Sequence, residues 1–121
     1  MIRFFFAFFL MITPVFAQEE AAETTIGTGA LLRGLDKISG ELTDYEMQPG
    51  EFITHGALRV ELKECRYPTD NPNGDAFAFL VIHTDTSDGP VFAAWMVASS
   101  PALSALDHPR YDIWPLRCTR E

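Results

Sequence analysis

Hydrophobic and polar residues alternate most clearly over residues 57–66 (ALRVELKECR). Leu58, Val60 and Leu62 occupy one side of an extended chain there, and Arg59, Glu61 and Lys63 the other. A period of two marks a strand with one buried and one wet face. Around it the chain breaks into short segments of the same kind, separated by turn residues. Residues 30–35 and 41–47 form two strands joined through Ser39 and Gly40, and residues 51–54 a short one after Pro49 and Gly50. Two further segments lose the alternation. Residues 76–84 (AFAFLVIHT) and 91–98 (VFAAWMVA) are apolar on both faces, which predicts a central hairpin covered on both sides and turned by the Asp-Gly pair in residues 85–90. Trp95, in the middle of the second segment, is expected in the core. Residues 112–119 make a last strand, which Pro115 places at a sheet edge.

The stretch between the last two strands, SSPALSALDHP, carries many reactive side chains but reads as punctuation. Ser100 is an N-cap, Pro101 suits the first helical position, and His108 stops the helix because it precedes Pro109. The predicted architecture is therefore all-β: a small sandwich or partly closed barrel of about seven strands, with one short helix near residues 100–107.

The N-terminus belongs to a different grammar. Arg3 is followed by an unbroken apolar run over residues 4–12, then Pro14, then Val15-Phe16-Ala17. A basic start, a short apolar run and small residues before a cut form the secretory signal pattern, with cleavage expected after Ala17. An apolar run of about nine residues makes roughly 14 Å of helix, well short of the ~30 Å core of a bilayer, so no membrane-spanning segment is expected after cleavage. The expected division is a signal peptide at 1–17, a flexible acidic leader at 18–28 and a single β domain at 29–121. The exported part holds eight basic and seventeen acidic residues, a net charge of −9. Its basic residues are scattered, which argues against nucleic acid and anionic lipid as partners. It also holds both cysteines, Cys65 and Cys118. An even pair in an exported chain reads as a disulfide, worth about 4 kcal/mol to a domain with so small a core. By strict alternation Cys65 falls on the charged face of its strand. The bond thus requires either a bulge near Glu64 or a strand end that crosses an edge.

Each reactive cluster has a plainer reading beside the chemical one. Ser99 or Ser100 with His108 and with Asp107 or Asp112 has the residue types of a hydrolase. Yet capping explains Ser100, the stop explains His108, and no G-x-S-x-G elbow is present. His55, His83 and His108 with Asp85 or Asp107 are metal-ligand types without metal-ligand spacing. Asp70, Asp75, Asp85 and Asp88 lie in turns with too few carboxylates in any one loop for calcium. No metal and no cofactor is expected. Asp36 and Lys37 read as a solvated turn. Among the aromatic residues, Tyr45, Tyr67, Tyr111 and Trp114 lie near strand ends. Arg110, Tyr111 and Trp114 are the types that make interface hot spots or stack on sugars, and burial of Trp114 near the disulfide fits equally well.

LLRGLDKISG (31–40), LRVELKEC (58–65) and above all WMVASSPALSALDHPRYDIWPLRC (95–118) resemble the bacterial "domain of unknown function 2155" family, over roughly residues 30–118. The resemblance implies a small exported domain, mostly alphaproteobacterial, and no particular activity or ligand. Taken together, the expectations are a periplasmic, cell-envelope protein with a non-enzymatic, protein-binding role. Its face is built from Asp107, His108, Arg110, Tyr111 and Trp114, and its partner is another envelope protein. A module that binds cell-wall glycan through Tyr111 and Trp114 is the alternative, and a small hydrolase using His108 and Asp107 the remote one.

Overall fold

The structure is a computed structural model that describes residues 23–121, together with Met11. The expected signal peptide apart from Met11, its expected cleavage after Ala17 and the first part of the expected leader lie outside the described residues. Among the described residues, eight strands form two sheets packed as a sandwich rather than a closed barrel. They are β1 (Thr24–Ile26), β2 (Gly29–Asp36), β3 (Leu42–Met47), β4 (Phe52–His55), β5 (Leu58–Pro68), β6 (Phe77–Thr84), β7 (Phe92–Val97) and β8 (Tyr111–Thr119). The larger sheet runs β1-β5-β6-β7, with β4 sharing the β1 edge of the long strand β5; the smaller runs β3-β2-β8. All the pairings are antiparallel.

Alternation explains most of this. Leu58, Val60 and Leu62 of β5 point inward with Ala78, Leu80 and Ile82 of β6 and Met96 of β7. They meet Ala30 and Leu32 of β2, Met47 of β3 and Ile113 of β8, and all of these are at most 1% exposed. Burial of each large aliphatic side chain among them stabilises the sandwich by about 1.5–3 kcal/mol. Pro115 is also fully buried, and its strand β8 is an edge of the smaller sheet, as the missing N–H requires.

Both cysteines reach this core by the same device. In β5 the register with β6 shifts between Leu62 and Glu64, so Lys63 is an extra residue and the inward side passes from Leu62 to Cys65. In β8 the register with β2 jumps from Pro115 to Arg117, so Leu116 is extra and the inward side passes from Pro115 to Cys118. Each bulge reverses the parity of its strand just before the cysteine. The Cys65–Cys118 disulfide then links the two sheets, with Cα atoms 5.6 Å apart. Of the two routes left open by alternation, the bulge is the one taken.

Four expectations are corrected. The helix near 100–107 is a single 3-10 turn, Pro101–Leu103, without a side-chain cap from Ser100; the segment instead descends so that Leu106 plugs the core at 5% exposure. Residues 24–26, within the expected 18–28 leader, form the strand β1, which pairs with residues 66–68 of β5. The β6–β7 hairpin is covered on one face only. Phe77, Phe79 and Val81 stay half-buried, and β7 is an edge strand rather than a central one. Trp95 consequently lies outside the core, 39% exposed.

Candidate functional site

One end of the sandwich gathers the polar side chains that the sequence singles out. The β2–β3 turn is shaped by Asp36, whose Oδ1 accepts the N–H groups of Ile38 and Ser39 at 3.0 and 3.3 Å. The same carboxylate receives the Arg110 guanidinium, with Nη2 at 3.0 Å from Oδ2. This pairing is the main cause that lowers the Asp36 pKa from 3.8 to about 2, and it raises that of Arg110. Lys37 donates from Nζ to the His108 carbonyl at 2.7 Å, and its backbone N–H donates to the Arg110 carbonyl at 2.8 Å. Asp36 and Lys37, expected as a solvated turn, thus clasp the segment that leads into β8.

His108 lies within that clasp. Its Nδ1 accepts the backbone N–H groups of Arg110 and Tyr111 at 3.1 and 3.0 Å, so the exchangeable proton of the ring sits on Nε2. Tyr111 is flanked by two imidazoles: His108 on one side at 5.5 Å between ring centres, and His55 edge-on at 5.4 Å on the other. His55 is buried at 6% exposure, faces inward from β4, and shares a 2.8 Å hydrogen bond between Nδ1 and the Tyr45 hydroxyl. Its Nε2 has no partner among the described residues. The ring packs on Gly34, where an added Cβ would come within 2.5–2.8 Å of it. Asp36, Glu41, Thr43, Tyr45, His55 and Tyr111 border a shallow cleft of about 210 Å³ beside this cluster.

The sequence pointed to His108, Arg110 and Tyr111, and the fold brings these three together. It turns Trp114 away from them. Asp107 is exposed. Along β8, Tyr111 shares the side of Ile113 and Pro115, whereas Trp114 faces the opposite way. A single stacking platform made from Tyr111 and Trp114 is therefore not formed. Two members of the hydrolase constellation, Ser99 and Asp112, are engaged elsewhere. Ser99 donates its hydroxyl to Asp75 Oδ2 at 2.7 Å and its N–H to Oδ1 at 3.0 Å, which ties the exit of β7 to the loop before β6. Asp112 accepts the N–H of Ile113 at 2.8 Å. His83 stands near the end of β6, opposite Arg59 of β5. Among the described residues, no three His, Cys, Asp or Glu side chains gather as a metal site.

Tyr45, His55 and Gly34 were not legible as a unit, although alternation from Ile53 to His55 already carries an imidazole inward. An apolar surface feature lies elsewhere. Trp114 lines an apolar groove of about 400 Å³ between β7 and β8, floored by Met96 and Ile113 and walled by Pro101, Ala102 and Ala105. On the outer face of the larger sheet, Trp95 stands opposite Phe79 in register and packs edge-on against it, with ring centres 5.4 Å apart. Both tryptophans of the chain thus border β7. That strand, FAAWMV, contains no charge and no proline.

Comparison with known proteins agrees with the pattern of the sequence. An uncharacterised protein of Rickettsia prowazekii (strain Madrid E) is 28% identical over 111 residues, which span 87% of this chain and 72% of that one. No solved structure matches the chain. The model of a family described as uncharacterised proteins conserved in bacteria matches residues 30–118, from the start of β2 to Cys118 of β8, and the chain belongs to that family, the domain of unknown function 2155.

Proposed function

We propose that this is an exported protein of the bacterial cell envelope that works by binding protein rather than by catalysis, through the side of the sandwich bounded by β7. The observation that carries this reading is the position of the two tryptophans. One lies on the outer face beside the free edge, 39% exposed, and the other lines the apolar groove between β7 and β8. Tryptophan is the residue type most enriched where binding energy concentrates, and a surface with two of them around an uncharged strand is rich in such anchors. The polar residues at the other candidate site are, by contrast, engaged with one another: Asp36 with Arg110, Lys37 with the His108 carbonyl, His108 with two backbone N–H groups. An inter-sheet disulfide supports export, since such bonds persist in oxidising compartments.

The test is capture from living cells. The full chain carrying an affinity tag is expressed in its bacterial host, cross-linked in the envelope, and recovered under denaturing conditions. A protein should be retained near stoichiometry, and its recovery should fall at least about tenfold when Trp95 and Trp114 are each replaced by alanine. Recovery that ignores both substitutions would overturn the reading, as would the absence of any cross-linked protein.

A further inference from the structure

We infer that the partner at β7 is a second copy of this chain, joined edge to edge so that the two larger sheets become one; the inference rests on the protein-binding reading above. Its basis is the direction of the backbone groups. Ala98 donates its N–H to the Ala76 carbonyl, which fixes the alternation along the hairpin. Even-numbered residues of β7 turn their N–H and C=O groups toward β6, and odd-numbered residues turn theirs away. Among the described residues, the outer edge of β7 receives one backbone bond, from Ser100 N–H to the Val97 carbonyl. The N–H and C=O groups of Ala93 and Trp95 are directed outward and have no backbone partner among the described residues.

The other sheet edges carry the features that deter pairing. β3 bears Asp44 and Glu46, with Asp44 bound to Arg33, and β8 has Pro115 between Asp112 and Arg117. The edge of β5 opposite β6 is divided between two short strands, β1 and β4. β7 has neither charge nor proline, in a chain whose overall charge is strongly negative. An apolar, unguarded edge invites strand addition.

What favours a second copy is that this edge complements itself. A twofold axis through Ala94 sets Ala93 opposite Trp95 of the other copy, so each such pair exchanges both of its N–H···O=C bonds. On the outer face, each large indole then lies across a small methyl group. Val91, 46% exposed, precedes the paired segment, its own N–H turned inward to the Ile82 carbonyl, and so flanks the dimer seam near Val97 of the second copy. The uncharged strip is also where two acidic chains approach with least repulsion, and a twofold contact that closes on itself limits assembly to a dimer.

The experiment uses the full chain expressed in cells and purified from the envelope fraction in the form the cells produce. A photo-cross-linking amino acid replaces Val91, which leaves Trp95 in place, and the linked peptides are identified by mass spectrometry. In parallel, sedimentation equilibrium gives the mass of the chain without the cross-linker and of its Trp95→Lys variant, with retention of the disulfide as the check on folding. The expected result is a link from position 91 to the neighbourhood of Val97 in a second copy. The mass should be that of two chains, and Trp95→Lys should raise the dissociation constant at least about tenfold. A link to a different protein overturns the self-pairing and leaves the protein-binding reading standing. A link within one chain, or none, together with the mass of one chain, overturns both.

Discussion

Two residues at the polar end of the sandwich set out how single side chains are held here. Gly34 is glycine because the imidazole of His55 lies against it. Tyr45 and Tyr111 hold that ring from two sides, so it has no room to withdraw. Gly34→Ala should lower stability by about 1–3 kcal/mol through overpacking, read as a shift of the urea midpoint without a change of slope. Asp36 is governed by charge rather than space. Its pKa is lower in the folded protein, about 2 against an ordinary 3.8, chiefly because Arg110 hydrogen-bonds the ionised form. A carboxylate with a depressed folded pKa contributes stability that is fully present above its unfolded pKa. That contribution is lost as the pH falls through the folded value. Stability should therefore fall between pH 4 and pH 2, and Asp36→Asn should flatten that part of the profile while lowering stability at neutral pH. Urea midpoints measured across the range, with and without the substitution, give the comparison. Added salt should weaken the contribution, because Arg110 faces solvent.

At the level of the element, the paired bulges matter most. A strand of period two cannot carry Leu58, Val60, Leu62 and Cys65 on one face unless one residue is looped out. Lys63 is that residue, and Leu116 serves β8 in the same way before Cys118. Deletion of Lys63 should consequently be tolerated. Glu64 would take the outward place next to Leu62, Cys65 the following inward one, and the disulfide should still form, with no free thiols on titration of the unfolded protein. Two reactive thiols would mean that the bulge itself, and not the parity it restores, is needed to bring the cysteines together. The hairpin β6–β7 shows where element-level reasoning stops. Residues 76–84 and 91–98 read as covered on both faces because both faces are apolar. The fold covers one face and leaves Phe79 and Trp95 on the other. Apolar composition reports a tendency to be covered, and does not say whether the cover comes from the same chain.

For the molecule as a whole, the disulfide ties two sheets that are otherwise held by side-chain packing. It joins residues 53 apart in the sequence, from β5 of one sheet to β8 of the other. Replacing Cys65 and Cys118 together by alanine should cost about 4 kcal/mol on the chain-entropy model. The loss, measured by urea or thermal unfolding of the two forms, is a large part of what a domain of this size possesses. A loss under about 1 kcal/mol would mean that the interdigitated aliphatic side chains already hold the sheets together without it.

The sequence by itself determined what depends on neighbours along the chain. It was enough for the all-β class, most strand positions, the turns at Gly40, Gly50 and residues 85–90, the pairing of the two cysteines and the edge placement of the Pro115 strand. Each follows from local rules: a period of two, the φ preference of glycine, the missing N–H of proline. The tertiary structure alone decided the rest. It sorted Tyr111 and Trp114 to opposite sides of β8, buried His55 against Gly34, engaged Asp36 and Lys37 with residues more than seventy positions away, and put Trp95 at an open edge. These outcomes depend on which strands become neighbours and which remain at the margin. That is set by how two sheets best cover their apolar faces together, a property of the whole arrangement that no single stretch of residues contains.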